Sequence, residues 1–233
     1  MFVRKNNCRI CGSSDLVSVL NLGDQPPANA FLKREDFKSE KAYPLNVYFC
    51  SGCNLLQLRD IVSPDILFRD YVYVSSTSRS FVEHFESYAA DVAKDFDVKN
   101  KLVIDLGSND GVLLKPFKSL GAKVLGIDPA IEIARKATQE GIETLPEFFT
   151  PDLAKDIVAK RGNAKIISAN NVFAHIDDVK AVLEGADILL SGDGVFVAEF
   201  PYLVDFINKG LFDTVYHEHL SYYGVRQYFP IPK

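Results

Sequence analysis

The strongest constraint on the fold is an alternation that begins at residue 101, where short segments rich in Val, Ile and Leu alternate with amphipathic segments. The apolar segments have the length of buried strands, and the amphipathic segments have the periodicity of helices. We predict strands at 101–106, 123–127, 142–145, 164–169 and 194–200, and helices at 111–120, 130–140, 151–160 and 177–187. Strands and helices in this order build an α/β fold with a mostly parallel sheet that helices cover on both faces.

The loop after the first of these strands reads Asp105-Leu-Gly107-Ser-Asn109-Asp-Gly111 and opens a helix. Glycines let a ligand approach the backbone closely, and a helix N-terminus offers unpaired N–H groups. The dinucleotide fingerprint GxGxxG does not fit, because Asn109 and Val112 stand at the positions of its second and third glycines. A tight strand–helix turn without a ligand is the alternative interpretation.

The loop resembles the glycine loop of class I S-adenosylmethionine (SAM) methyltransferases, which have a Rossmann-like fold. In that family the next strand ends in an acid that binds the ribose hydroxyls, and Asp128 ends the corresponding strand here. The loop and the acid together indicate a SAM site. The resemblance implies that the cofactor contacts Asp105, Gly107, Ser108, Asn109, Gly111, Asp128 and Asn170.

All cysteines of the chain lie in two CxxC pairs near the N-terminus. A CxxC turn presents two thiolates to one ion, and two such turns complete the tetrahedral set that zinc prefers. Unrelated buried cysteines are one alternative, and a redox pair is another, although neither pair opens a helix after a strand. We therefore expect a closed, structural Zn²⁺ site. Its expected ligands are Cys8, Cys11, Cys50 and Cys53.

Three regions are predicted along the chain. Residues 1–60 form a small zinc-binding module of short strands and turns, which has too little apolar area to fold unaided. Residues 61–98 form a helical, substrate-facing linker with a helix near Ser80–Phe96. Residues 99–233 form the SAM-binding Rossmann-like domain with a C-terminal catalytic segment.

The formal net charge of −5 argues against general nucleic-acid binding, because surfaces that bind nucleic acids are basic. A hydrophobic content of 47% is typical of a globular protein with a sizeable core. No apolar run approaches the roughly 18 residues that span a bilayer, and no basic and apolar leader is visible. We expect a cytoplasmic protein without a membrane or nucleic-acid partner.

The chain has four histidines, and three of them lie where chemistry is expected. His175 follows a predicted strand, and the carboxyl ends of strands in doubly wound sheets bind ligands. The run Tyr216-His-Glu-His219 adds two imidazoles and a carboxylate. Imidazole, whose ordinary pKa lies near 6.5, can accept a proton at neutral pH. We expect His84, in contrast, to be an ordinary core or surface residue.

The order of these motifs resembles the zinc-containing sugar C-methyltransferases, over most of the chain. The motifs are the two CxxC pairs, Tyr71-Val-Tyr73-Val-Ser-Ser, Gly107-Ser-Asn-Asp-Gly111, Asn171-Val-Phe-Ala-His175 and Tyr216-His-Glu-His219. That family methylates nucleotide-linked, usually dTDP-linked, 4-keto-deoxysugars. The resemblance implies that a base removes the acidic proton at C3 and that the resulting enolate attacks the SAM methyl group, without participation of the metal.

Carried onto this sequence, the resemblance makes His219 the leading base. Glu218, Tyr216 and His175 would orient the base or hold the enolate oxygen. Tyr71 or Tyr73 would face the substrate, which is a small-molecule sugar nucleotide. The proton and the enolate oxygen need separate partners, and uncharged phenols and imidazoles can donate hydrogen bonds to the oxygen.

Members of that family continue well beyond the end of this sequence, with a second α/β domain that helps to enclose the sugar nucleotide. Residues 224–233 do not resemble that continuation, and Pro230 and Pro232 disfavour a further strand. We therefore expect an incomplete sheet of about five strands with an exposed edge. A missing C-terminal domain or a protein partner would complete it.

Two other functions stay open. An O- or N-methyltransferase of the same fold would share the cofactor loop, but a hydroxyl or amine needs less carbanion stabilisation than the Tyr216–His219 run offers. A truncated, non-catalytic module would bind SAM without turnover. A zinc ribbon that binds nucleic acid is disfavoured by the acidic net charge.

Overall fold

The computed structural model describes residues 2–224, which form two compact units. The cysteine unit contains the residues up to Leu67, Phe173–Val179 and the residues from Phe200 onward. The parallel-sheet unit contains Phe68–Val172 and Lys180–Glu199.

The bounds of the regular elements follow in chain order. The strands of the described residues are β1 (Phe2–Arg4), β2 (Leu16–Gln25), β3 (Tyr43–Cys50), β4 (Leu56–Leu58), β5 (Asp60–Val62), β6 (Leu102–Leu106), β7 (Lys123–Ile127), β8 (Thr144–Leu145), β9 (Ala164–Asn170), β10 (Leu190–Glu199) and β11 (Ser221–Tyr222). The α-helices are α1 (Pro64–Phe68), α2 (Arg79–Asp95), α3 (Leu114–Ser119), α4 (Ile131–Gln139), α5 (Pro151–Arg161), α6 (Val179–Leu189) and α7 (Leu203–Asn208). Short 3-10 helices lie at Arg34–Ser39, Ser75–Thr77, Phe173–His175 and Phe212–Thr214.

The parallel-sheet unit contains a sheet of five parallel strands in the order β10-β9-β6-β7-β8. Its central strand β6 is buried along its whole length, which is the pattern of a strand covered on both faces. The predicted parallel sheet of about five strands is thereby confirmed. The helix expected from residue 111 begins at Leu114 instead, because Asn109 and Gly111 have positive φ and turn the backbone away from a helical path. The disfavoured strand near Pro230 and Pro232 concerns residues outside the described part of the chain.

The core of the parallel-sheet unit joins α2 and α3 to the sheet. Phe85 and Ala89 of α2 belong to the same buried cluster as Phe117 of α3 and the strand residues Val103 and Ile166. Full burial of a side chain of the size of Leu or Phe contributes about 1.5–3 kcal/mol. This cluster therefore holds α2 and α3 against the parallel sheet.

The cysteine unit contains an antiparallel sheet in the order β11-β4-β3-β2 and a separate β1–β5 ribbon. Alternate residues of β3 are buried, and Leu45 and Val47 lie in a core cluster with Leu203 and Leu220. The residues from Phe200 onward thus supply one strand and several core side chains to this unit. They provide apolar area that residues 1–60 lack by themselves.

The two units divide the chain differently from the three predicted regions. The residues from Phe200 onward, which were expected to belong to the Rossmann-like domain, belong to the cysteine unit. There β11 pairs with β4, and Leu220 packs in the same cluster as Leu58. The short stretch Phe173–Val179, which carries His175, also belongs to the cysteine unit. Within residues 2–224, none of the helices combines the length and apolar character that a bilayer crossing requires.

Candidate active site and metal centre

The four cysteines converge in the cysteine unit. Their Sγ atoms all lie within 4.8 Å of one another, with Cys8 and Cys53 at 3.5 Å and Cys11 and Cys50 at 3.5 Å. Zinc–sulfur bonds of about 2.3 Å in a tetrahedron require sulfur–sulfur distances of about 3.8 Å. The donor set and its spacing therefore fit a structural Zn²⁺ ion.

Both CxxC loops fold in the same way. The N–H of Gly12 donates to the carbonyl of Cys8 at 2.9 Å, and the N–H of Asn54 donates to the carbonyl of Cys50 at 2.8 Å. Gly12 and Asn54 have φ of +75° and +61°, a conformation that Gly and Asn adopt most readily. Each turn brings its two thiols to one side, which is what a shared ion needs.

The electrostatics of the cysteine cluster depend on burial. Burial raises the pKa of Cys50 and of Cys53. Burial also opposes ionisation of Cys8, but the N–H groups of Cys11 and Ile10 donate to its sulfur and lower its pKa to about 7. A divalent cation would offset the cost of ionising all four thiols together.

The glycine loop between β6 and α3 contains two positions that only glycine can occupy without displacement of a neighbour. A Cβ on Gly107 would lie 2.2 Å from Val172 Cγ2, and one on Gly111 would lie 2.8 Å from Ile142 Cγ2. Both glycines have positive φ, at +66° and +76°. Packing against Val172 and Ile142 therefore requires glycine at both positions of the loop.

Asp128 supports this loop from the end of β7. Its Oδ2 accepts from the N–H of Asn109 and its Oδ1 accepts from the N–H of Ala130, both at 2.8 Å. Burial raises the pKa of Asp128, and these two N–H groups oppose that shift. A carboxylate has about four acceptor positions, so these two bonds leave it able to accept from further hydroxyl groups.

Asp105 lies beneath the loop at the end of β6. Burial raises its pKa to about 7, the hydroxyl of Ser168 opposes the shift by donating to Oδ1 at 2.7 Å, and the charge of Asp128 adds to it. The carboxyl group of Asp105 therefore binds its proton more tightly than an exposed aspartate does. Its burial makes it a support of the loop more than a group open to solvent.

Several buried polar atoms near the strand ends have no hydrogen-bond partner among residues 2–224. By close hydrogen-bond geometry they are Nδ2 and Oδ1 of Asn170, Oγ of Ser108 and Oη of Tyr88, and the phenol of Tyr88 faces the amide of Asn170, which opposes the rise in the pKa of Tyr88 that burial causes. Buried polar atoms are nearly always paired in native proteins, so these atoms indicate bound water or a polar ligand. Sequence reasoning missed Tyr88, which its periodicity places on the apolar face of its helix. A buried tyrosine hydroxyl that needs a partner is the signal that could have found it.

Asn109 also fixes the Tyr71–Ser78 segment. Its Nδ2 donates to the carbonyl of Tyr73 at 2.9 Å, and its Oδ1 accepts from the N–H of Ser75 at 2.9 Å. The rings of Tyr71 and Tyr73 lie 6.5 Å apart, and Tyr73 is 41% exposed. Both tyrosines thus lie in the parallel-sheet unit, on a segment tied to the glycine loop.

The cysteine unit brings together the imidazoles predicted for proton transfer. Oη of Tyr216 and Nε2 of His219 lie 2.9 Å apart, and Nδ1 of His219 lies 2.9 Å from the carbonyl of Thr214. A carbonyl can only accept, so Nδ1 carries the proton and Nε2 accepts from the Tyr216 hydroxyl. The ring of His175 lies 5.0 Å from that of His219.

Burial keeps these imidazoles neutral. It lowers the pKa of His219, with an opposing effect from the Thr214 carbonyl. Burial, aided by His219, lowers the pKa of His175 to about 3. Both rings are uncharged at neutral pH, so Nε2 of His219 is an uncharged proton acceptor within a polar pair.

Glu218 and His217 contact other parts of the cysteine unit. The amide Nδ2 of Asn29 donates to Oε1 of Glu218 at 2.7 Å, and Nε2 of His217 lies 3.1 Å from the carbonyl of Tyr43. Sequence reasoning missed Asn29, because the two prolines before it indicate only a turn. His84, outside this unit, is half-exposed and pairs with Glu199 at 2.7 Å.

Two sequence families match the chain. The family described as "Putative zinc binding domain" matches residues 8–68, and the family described as "Methyltransferase domain" matches residues 80–230. Similar curated proteins include the C-methyltransferase NovU of Streptomyces niveus, which is 37% identical over 94% of this chain and 53% of its own length. A ubiquinone biosynthesis O-methyltransferase of Rhodopseudomonas palustris (strain HaA2) is 33% identical over 41% of this chain and 38% of its own length. The chain thus spans about half the length of NovU, and less of the other relative.

Solved structures with similar folds share little sequence with this chain. Magnesium protoporphyrin IX methyltransferase (ChlM) from Synechocystis PCC 6803, with bound SAH, is 18% identical and covers 62% of this chain and 67% of its own, with a TM-score of 0.45. The PH0226 protein from Pyrococcus horikoshii OT3 is 17% identical and covers 59% of this chain and 62% of its own, with a TM-score of 0.47. The family match over residues 80–230 coincides with the glycine loop, Asp128 and the parallel sheet. By that match the chain belongs to the methyltransferase domain family.

Proposed function

We propose that the chain is a SAM-dependent C-methyltransferase that acts at C3 of a nucleotide-linked, dTDP-type 4-keto-deoxysugar. The observation that supports this proposal most is the neutral Tyr216–His219 pair, with Nε2 of His219 as the proton acceptor. Carbon methylation needs a base, because a C–H bond must ionise first. The sequence similarity to a C-methyltransferase, NovU, agrees with this choice of reaction.

The proton at C3 is acidic because the neighbouring C4 carbonyl stabilises the carbanion as an enolate. In the proposed step the phenol oxygen of Tyr216 takes the C3 proton while its own proton passes to Nε2 of His219. The Thr214 carbonyl then stabilises the resulting imidazolium through the Nδ1–H bond. Such a positioned base typically contributes a factor of about 10² to 10⁴ in rate.

The enolate oxygen needs a donor while the negative charge develops. His175 is neutral and can donate an N–H to that oxygen, and Glu218 orients the base or the sugar. We assign Tyr71 and Tyr73 to contacts with the sugar. SAM, when bound, would supply an electrophilic methyl group to the enolate carbon, and S-adenosylhomocysteine would be the leaving group.

We further propose that SAM is held by the glycine loop and the strand ends of the parallel-sheet unit. The proposed contacts are Asp105, Gly107, Ser108, Asn109, Gly111, Asp128 and Asn170. The unpaired polar atoms of Asn170 and Ser108 support this assignment, because a ligand with amino, carboxylate and hydroxyl groups would pair them. Zn²⁺ at the four cysteines is structural and takes no part in the transfer.

The decisive experiment incubates the chain with SAM and a panel of dTDP-4-keto-deoxysugars. The proposal predicts one added methyl on C3 by mass and NMR, and deuterium uptake at C3 from D₂O when the methyl donor is omitted. His219→Gln should abolish both signals and retain SAM affinity. SAM binding without turnover on any keto sugar would instead favour a non-catalytic module.

A second candidate is methylation of an oxygen atom. The matches to ubiquinone biosynthesis O-methyltransferases support it, although they cover only about 41% of this chain. The methyl group of an O-methyl product would have an NMR chemical shift typical of an ether. Its formation would not be accompanied by deuterium exchange at C3. Detection of that product would replace the C-methylation proposal.

A further inference from the structure

The loop after β2 directs one polar side chain into the cysteine unit. Ala28 and Ala30 are exposed, and Phe31 is 80% exposed, whereas Asn29 between them is partly buried. The N–H of Ala30 donates to the carbonyl of Pro27 at 3.1 Å, and the N–H of Phe31 donates to the carbonyl of Asn29 at 3.0 Å. A proline and two turn bonds thus hold the backbone of Asn29 in place.

The group that Asn29 meets is a buried carboxyl. Glu218 is 2% exposed, and its Oε1 accepts from Nδ2 of Asn29 at 2.7 Å across 189 residues of sequence. A carboxylate only accepts, so the amide must turn its NH₂ toward Glu218. The short distance is typical of a hydrogen bond to a charged acceptor.

A purely structural explanation of this contact is costly. Burying the Glu218 carboxyl in the place of an apolar side chain gains little stability, since the carboxyl loses its hydration and the partly buried amide of Asn29 replaces only one hydrogen bond. Glu218 lies between His217 and His219, in the run that carries the proposed base. A buried carboxyl with a partly buried amide donor at that place is better explained by chemistry than by packing.

We propose that Asn29 is a positioning residue that fixes the carboxyl group of Glu218 for the methyl-transfer reaction. The inference rests on the proposed function. It gives the region that carries the cysteines a part in the reaction besides holding an ion, because the loop of Asn29 lies between the two CxxC pairs. Asn29 acts through Glu218 and touches neither substrate nor cofactor.

The test compares Asn29→Ala with Asn208→Ala in the full chain loaded with zinc. Asn208 is exposed at the end of α7 and serves as a control for loss of an amide. Asn29→Ala should lower kcat about ten- to hundredfold, the range of one hydrogen bond to a charged group. Zinc content and SAM affinity should stay at the level of the control. The melting temperature should fall in Asn29→Ala in either case, because a buried carboxyl loses its donor, so kcat is compared per folded molecule; a purely structural role would leave that value unchanged.

A double-mutant cycle then asks whether Asn29 acts through Glu218. In the Glu218→Ala background, Asn29→Ala should cause no further loss of kcat. Additive losses of kcat would overturn the inference, as would an unchanged kcat in Asn29→Ala alone.

A second readout separates this inference from the proposed function. A carboxylate that loses a hydrogen-bond donor binds its proton more tightly. In ¹³C-labelled protein titrated by NMR, the proton affinity of the Glu218 carboxyl should therefore be about tenfold higher in Asn29→Ala than in wild type. If the wild-type chain methylates no keto sugar, the proposed function fails, and this titration still decides whether Asn29 controls Glu218. An unchanged Glu218 titration in Asn29→Ala refutes the link.

Discussion

Replacement of Gly107 by alanine tests the geometry of the glycine loop between β6 and α3. The added Cβ would lie 2.2 Å from Val172 Cγ2, and the residue would keep a φ of +66°. Left-handed backbone costs an alanine about 1–2 kcal/mol, and overpacking adds about 1–3 kcal/mol. We therefore expect a loss of about 2–5 kcal/mol in the free energy of unfolding. In a chain of this length that loss lowers Tm by about 4–20 °C.

Two further variants separate the two contributions. Gly121 also has positive φ, at +88°, but its nearest foreign atom would lie at an ordinary 3.6 Å, so Gly121→Ala reports the backbone cost alone. Val172→Ala removes the clashing methyl groups, so adding it to Gly107→Ala should recover only the overpacking part. Calorimetry measures Tm, and titration calorimetry measures SAM affinity. Equal losses in Gly107→Ala and Gly121→Ala, or no recovery with Val172→Ala, would refute the reasoning.

Three other outcomes follow from the described residues. Chelation of the metal, or Cys53→Ser, should unfold the cysteine unit and leave the cooperative transition of the parallel-sheet unit in place, which circular dichroism and hydrogen exchange can follow. Asp128→Ala should weaken SAM binding at least tenfold by titration calorimetry, while Asp152→Ala, at an exposed acid, should not. Asp105→Asn should flatten the pH dependence of stability between about pH 4 and 7, as measured by urea unfolding.

The sign of the Asp105 effect follows from its raised pKa of about 7. The folded state binds the proton more tightly than the unfolded state, so this carboxyl favours folding most below its unfolded pKa. That advantage is lost as the pH rises through 7, and each tenfold difference in proton affinity between the two states corresponds to about 1.4 kcal/mol. A pH profile that is the same in Asp105→Asn and wild type would contradict the assignment. A cysteine unit that keeps its structure in strong chelator would contradict the structural role of the metal. A SAM affinity of Asp128→Ala equal to that of Asp152→Ala would contradict the role of Asp128.

The parallel sheet could be predicted because its determinants are local. Strand β6 is a largely apolar run, and each following helix shows its own periodicity, so neighbouring residues alone predict both. Helix starts were less accurate: α3 begins at Leu114 because positive φ at Gly111 delays it. The cysteine pairs were recognisable for the same reason, since CxxC spacing already determines how two thiols meet.

The partners of the candidate site residues could not be predicted, because they lie far apart in sequence. Asn29 meets Glu218 across 189 residues, and no local pattern relates a turn after two prolines to a C-terminal carboxyl. The tautomer of His219 likewise depends on the Thr214 carbonyl, whose position is decided by a short 3-10 turn. The position of Tyr88 could not be predicted either, because periodicity marks it as buried without revealing that its hydroxyl faces the amide of Asn170.

By itself, the sequence determined which local structures form: the strands, the helices, the glycine turn and the two cysteine turns. Steric restrictions on the backbone and hydrophobic periodicity act within a few residues, so their effects can be predicted from the sequence alone. Only the tertiary structure decided that the residues from Phe200 onward complete the cysteine unit, through the pairing of β11 with β4 and the packing of Leu220. Burial and hydrogen bonding are properties of the folded unit. Burial keeps His219 uncharged, and folding brings the amide of Asn29 to the carboxyl group of Glu218 as a hydrogen-bond donor.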